Sequence, residues 1–138
     1  MIMITRGGVV PGGMLGEALD IKNMLTAAVR FPTGLGTEPL AAWPEFLQFP
    51  EDGLLSGRRL LVVDDVWGSG RTIAAVTGRI EVANGRPATC VFHYNPYRSL
   101  LGKARPDYYG AITDAYIVYP WEVDRDLKGI PTDHPGYG

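Results

Sequence analysis

Residues 61–72 run Leu61-Val62-Val63-Asp64-Asp65-Val66-Trp67-Gly68-Ser69-Gly70-Arg71-Thr72, and Ile73-Ala74-Ala75-Val76 then opens a helical pattern. An apolar run, an acid pair, a turn of small residues and a helix start, in that order, belong to an α/β unit. The order also carries chemistry. Backbone N–H groups of the turn and the dipole of the helix N-terminus favour a phosphate dianion. The acids accept hydrogen bonds from vicinal hydroxyls or hold Mg²⁺ through water. Together they point to a sugar phosphate.

The rest of the chain extends the α/β pattern. Ile2 to Thr5 reads as a short strand running into Arg6-Gly7-Gly8. Pro11 to Asp20 reads as a helix with Met14, Leu15, Ala18 and Leu19 on one face. Met24 to Phe31 is the second strand, Arg59 to Asp64 the third, Ala88 to Tyr94 the fourth and Ala115 to Tyr119 the fifth. Thr72 to Ala83 is a helix stopped by Asn84-Gly85. From Pro32 to Ser56 the periodicity breaks and prolines and glycines accumulate, as in a lid or binding loop. Trp43, Phe46 and Phe49 read as packing anchors for that loop. The expected fold is α/β: a mostly parallel open sheet of about five strands flanked by helices, with a flexible lid and a small C-terminal hood. Ligands of such sheets bind beyond the carboxyl ends of the strands. Arg6-Gly7-Gly8, the acid pair with its loop, and Asn95-Pro96 all follow strands and should gather on one edge.

Bulk properties narrow the partners. The 138 residues are enough for one domain. A formal net charge of −2 gives no electrostatic reason for nucleic-acid or anionic-membrane binding. No apolar run approaches the ~20 residues of a membrane span. Met1 to Arg6 lacks the pattern of a signal peptide. The single Cys90 excludes an intrachain disulfide, suits the cytoplasm and reads as inert strand packing. His93 reads as a satisfied strand histidine, His134 as a solvated tail residue, and Trp121 as packing near a strand end.

The acid pair and its loop resemble the phosphoribosyl-pyrophosphate motif of the type I phosphoribosyltransferases, and the resemblance covers most of the chain. Ile4-Thr5-Arg6-Gly7-Gly8-Val9-Val10-Pro11 is similar to the pyrophosphate loop of the xanthine–guanine and hypoxanthine members. Tyr94-Asn95-Pro96 stands at their base-recognition segment, and Asp114 to Glu122 is similar to their base-stacking segment. The resemblance implies transfer of a 5-phosphoribosyl group from phosphoribosyl pyrophosphate to a nucleobase, in purine salvage, by a cytoplasmic homodimer. It places Asp64 and Asp65 at the ribose hydroxyls with Mg²⁺ nearby. It places Gly68, Ser69, Gly70, Arg71 and Thr72 around the 5′-phosphate. Arg6, Gly7 and Gly8 meet pyrophosphate, through a peptide that is often cis in this family. Tyr116 and Ile117 cover the base, and Arg30 reaches the diphosphate beneath the lid.

The chain departs from that family at several points. Gly68 stands where the purine enzymes usually carry an acid that partners the base, and glycine accepts no proton. Asn95 replaces the lysine that reads the purine 6-oxo group, and an amide can read an oxo or an amino group. A Ser-Tyr pair common in the lid is absent. The helix that usually precedes the first strand has no counterpart, which leaves one sheet face to be covered. The rival readings are a phosphoribosyl-pyrophosphate-binding regulatory module without turnover, and a relic that binds nothing. A receiver domain fits poorly, because its acid pair ends the first strand rather than the third.

Overall fold

The computed structural model describes residues 1–32 and 42–122. Strands β1 (Ile2–Ile4), β2 (Leu25–Arg30), β3 (Glu45–Gln48), β4 (Arg59–Trp67), β5 (Arg86–Tyr94) and β6 (Tyr108–Ile112) form one sheet in the order β3-β2-β1-β4-β5-β6. Every neighbouring pair is parallel except β2 with β3. Helices α1 (Val9–Ala18) and α2 (Arg71–Val82) follow β1 and β4 onto opposite faces. The strand order therefore reverses between β1 and β4, where the register holds two residue pairs, Ile2 with Val62 and Met3 with Val63. That is the switch point at which α/β sheets open a crevice.

The central strands are apolar on both faces because helices cover both. Ile2, Ile4, Ala27, Leu60, Val62 and Val91 pack against Ile73, Val76 and Ile80 of α2. The spacing of those three on the helix brings them to one stripe. Each such side chain contributes about 1.5–3 kcal/mol on burial. On the other face Met1, Met3 and Val63 meet Leu15, Ile21 and Met24. Asn84 ends the chain reversal after α2 with φ of 61°, as its pairing with Gly85 predicts.

Several expectations change. The sixth strand is Tyr108–Ile112, and the expected strand at Ala115 to Tyr119 is absent: that segment is an irregular crossing over the site. Every residue of β6 is exposed, so no alternation of burial marks it, whereas Ala115 to Tyr119 has the composition of a strand without a partner. The irregular span after Pro32 contains β3, which pairs antiparallel with β2. Pro44 and Pro50 bracket that edge strand, where proline costs no ladder bond. Phe46 and Phe49 do anchor it, meeting edge to face at 5.1 Å over the core. Trp43 does not: it is 86% exposed. Of the expected apolar face of α1 only Leu15 packs inward; Met14, Ala18 and Leu19 are exposed, and the buried residues are Pro11, Gly12 and Gly16. Small residues let this helix lie close on β1, whose Met3 side chain fills the space.

One face of the sheet has an open hollow of about 560 Å³ bordered by Met1, Ile21, Leu61, Ala88 and Tyr108. Cys90 lies half-buried in β5, its thiol pKa raised by burial, in keeping with an inert role. No helix among the described residues is long and apolar enough to cross a membrane. His134 and the middle of the expected lid lie outside the described residues.

Candidate active site at the carboxyl edge of the sheet

β4 runs through the acid pair to Trp67 rather than ending at it. Successive strand residues face opposite ways, so the two acids serve different sides. Asp64 borders a small hollow with Gly68, Ser69, Gly70, Thr72 and Ile73. Gly70 precedes α2 with φ of 81°, and a Cβ there would stand 2.5 Å from the Trp67 indole nitrogen. Only glycine fits that turn. No side chain caps α2, so N–H groups of its first turn remain for an anion. The Ser69 hydroxyl lies 3.4 Å from the Arg71 N–H within the loop.

Asp65 faces the loop after β1. A Cβ on Gly7 would lie 2.6 Å from the Asp65 carboxyl atoms, and one on Gly8 would strike the Val63 carbonyl oxygen. The Arg6-Gly7-Gly8 loop is thus pressed onto β4 as only glycines permit. The cis peptide is the Thr5–Arg6 bond, one bond ahead of Arg6–Gly7. The Arg6 side chain is exposed beside it.

Burial holds the Asp64 carboxyl well above the usual carboxylate range, and the charge of Asp65 adds to the effect. Burial raises Asp65 too, with Glu122 reinforcing the shift and the Trp121 indole N–H opposing it. Such a pair is short of positive charge and of donors. Among the described residues no three His, Cys, Asp or Glu side chains gather closely enough to hold a metal alone. The donor set nevertheless fits Mg²⁺, which takes one or two carboxylates and completes its shell with ligand phosphates and water.

Beside the hollow at Asp64 lies a second, of about 110 Å³, bordered by Gly68, Asn95, Arg98, Tyr116, Ile117 and Glu122. Gly68 borders both hollows. Asn95 is 2% exposed, and its Oδ1 accepts from the backbone N–H groups of Tyr97 at 3.1 Å and Arg98 at 3.2 Å. Those two donors fix the amide orientation. The open choice between donor and acceptor is thereby narrowed: Asn95 has its Nδ2 donor left to offer.

Three residues beside the acids were not expected there: Trp121, Tyr119 and Glu122. Trp121 stacks on Tyr119 at 4.7 Å and 9°, and its indole N–H donates to Asp65 Oδ2 at 3.3 Å. It packs, as expected, and it also holds an acid. The Tyr119 hydroxyl donates to the Asp65 backbone carbonyl at 3.2 Å. Having spent its proton, it accepts from His93 Nδ1–H at 2.8 Å, so His93 is satisfied as expected. Glu122 accepts from the Tyr119 N–H at 3.1 Å and borders the base-side hollow. The available signal was the run Tyr119-Pro120-Trp121-Glu122, polar-tipped aromatics and an acid just after the base-covering pair.

Two residues stand elsewhere. The Arg71 guanidinium lies over the Phe31 ring at 4.1 Å and donates to the Ala42 carbonyl at 2.8 Å, which ties α2 to the flanks of the lid. Arg30 pairs with Glu45 at 2.7 Å on the sheet edge.

No family model matches the chain. A xanthine–guanine phosphoribosyltransferase of Ruegeria sp. is 28% identical over 127 residues, 89% of this chain and 68% of that one. The corresponding enzyme of Cereibacter sphaeroides is 29% identical over 126 residues, with the same coverage of 89% and 68%. The crystal structure of a purine phosphoribosyltransferase from Pyrococcus horikoshii superposes with a TM-score of 0.72 at 26% identity, over 87% of this chain and 74% of that one.

Proposed function

We propose that this chain, a type I phosphoribosyltransferase close to the xanthine–guanine and hypoxanthine enzymes, moves the 5-phosphoribosyl group of phosphoribosyl pyrophosphate onto a ring nitrogen of a purine in salvage. The observation that carries the reading is the meeting of the two hollows at Gly68, one walled by a helix N-terminus and Asp64, the other by Asn95 and Tyr116.

The roles follow from position. N–H groups of the Ser69 to Thr72 turn hold the 5′-phosphate, with the Ser69 and Thr72 hydroxyls as neutral donors. Asp64 and Asp65 take the ribose hydroxyls and the metal. Asp64 and Asp65 would hold Mg²⁺, which would supply positive charge against the leaving pyrophosphate. Arg6, with the Gly7 N–H, receives the developing pyrophosphate charge, while the Gly8 N–H is spent on the Ile4 carbonyl at 2.7 Å and holds the loop's shape. The C1′–oxygen bond breaks, the bond from C1′ to the base nitrogen forms, and the base gives up its proton. Tyr116 and Ile117 cover the ring and exclude water. With glycine at 68, that proton leaves through water or from a base acidic enough to need no partner. The Asn95 donor favours a purine with an oxo group where adenine carries its amino group.

The cellular form proposed is a cytoplasmic homodimer, to be checked by sedimentation and fractionation. The test of function is turnover of phosphoribosyl pyrophosphate with xanthine, guanine, hypoxanthine, adenine and uracil, followed as pyrophosphate release. If the sugar diphosphate binds and every base is inert, the transferase reading falls.

A further inference from the structure

The segment that covers the base hollow also reaches the acid on the sugar side. Tyr116 and Ile117 border the base hollow, and three residues on, the same stretch of chain turns back over β4. There the Tyr119 hydroxyl takes the backbone carbonyl of Asp65, and the Trp121 indole takes its carboxylate. Both anchors are braced. Tyr119 is 5% exposed and is held by His93 Nδ1 at 2.8 Å. Trp121 lies flat on Tyr119 and against Phe92, at 4.7 and 6.1 Å between ring centres. The opposite side of the same carboxylate is closed by Gly7, where even a methyl group would collide.

We propose that Trp121 is a positioning residue: its indole N–H fixes the Asp65 carboxylate against the Gly7 loop, so that the base-covering segment sets the geometry of the sugar-diphosphate site. The inference rests on the transferase reading. An indole nitrogen donates and never accepts, so it selects one orientation of a carboxylate that would otherwise turn freely about its terminal bond. The stacked ring keeps the donor in place at little entropic cost.

The test is Trp121→Phe, which keeps a ring on Tyr119 and deletes the donor. Titration calorimetry with phosphoribosyl pyrophosphate and Mg²⁺ should show affinity about tenfold weaker, the scale of a lost hydrogen bond to a charged group. The KM for the purine should stay within about twofold, since the base contacts are untouched. Phe92→Leu touches the same indole but not the carboxylate, and should lower Tm while leaving sugar-diphosphate affinity as it was. The proposal is overturned if Trp121→Phe binds the sugar diphosphate like the wild type, or loses both substrates equally. Should that variant not fold, the wild type and Asp65→Asn are compared by the indole N–H resonances of the three tryptophans. One signal should move, and none moving sinks the proposal. A wild-type chain that binds no sugar diphosphate sinks the transferase reading and this proposal together, whereas normal wild-type binding with an unaltered variant sinks this proposal alone.

Discussion

Under the proposed function, Gly68 is the residue that bears most on the choice of base. A Cβ built there meets nothing within 4 Å, and the position needs no left-handed backbone. Gly68→Asp should therefore fold normally and place a carboxylate between the two hollows. The expected gain in kcat/KM with hypoxanthine is about 10²-fold, the lower range for a positioned general base, with little change for the more acidic xanthine. Steady-state rates across pH 6–9 check this. Asn95→Asp is a complementary change. Aspartate supports the same turn, because its oxygen also accepts from the Tyr97 and Arg98 N–H groups. The proposed donor Nδ2 is replaced by an acceptor oxygen, so on the proposed function kcat/KM for oxo-purines should fall about 10²-fold or more relative to adenine. The wild type and variant are compared with hypoxanthine and adenine. At this scale the acid pair, the small-residue turn and the glycine at 68 were legible, since they are contiguous in sequence. The Trp121 bond to Asp65 was not, because 56 residues separate its partners and only the fold brings them together.

Elements were legible where one stripe or one strand is buried, and illegible at the sheet edges. α2 could be read within a residue at each end, because Ile73, Val76 and Ile80 repeat with the helix. β6 escaped because its pattern records no buried face. β3 escaped because two prolines beside it read as breakers. α1 was found, yet with most of its expected face exposed, because Pro11, Gly12 and Gly16 lie closest to the sheet and Leu15 alone of the expected face joins them. β3 still has a measurable task. Phe49 joins Phe46 in packing on the core and lies under the Arg79 guanidinium, 5.4 Å from ring centre to cation. Phe49→Ala should cost about 2–3 kcal/mol, somewhat less than for a fully buried phenylalanine. Urea unfolding should show a lower midpoint at an unchanged slope. The Arg30–Glu45 pair nearby is half exposed, and Glu45→Ala should cost under about 1 kcal/mol by the same measurement.

For the molecule as a whole, the acid pair sets a conflict between stability and binding. Both carboxyl pKa values are raised in the folded state, chiefly by burial. The native state then binds more protons than the unfolded chain between the two sets of pKa values. The stabilising contribution is fully present below the unfolded-state value of about 3.9 and is lost as pH rises through the raised folded-state values. Without ligand, the share of stability due to this pair should decline from acid toward neutral pH. Asp64→Asn should raise the Tm of the free chain at pH 7 and flatten that decline, while abolishing tight binding of the sugar diphosphate. Scanning calorimetry from pH 4 to 8 on both proteins checks the sign.

The two halves of the sheet meet along a seam only two register pairs long, between β1 and β4. The Arg6-Gly7-Gly8 loop hangs from one side of that seam, and the acids with the Gly68 to Thr72 turn hang from the other. A sugar diphosphate seated across both, as proposed above, would be a rivet as well as a reactant. Amide hydrogen exchange should slow on binding most at Ile2 to Thr5 and along the facing residues of β4, with little change in β5. Turnover would then unfasten the molecule once per cycle, and product release would be a loosening of the protein's own middle.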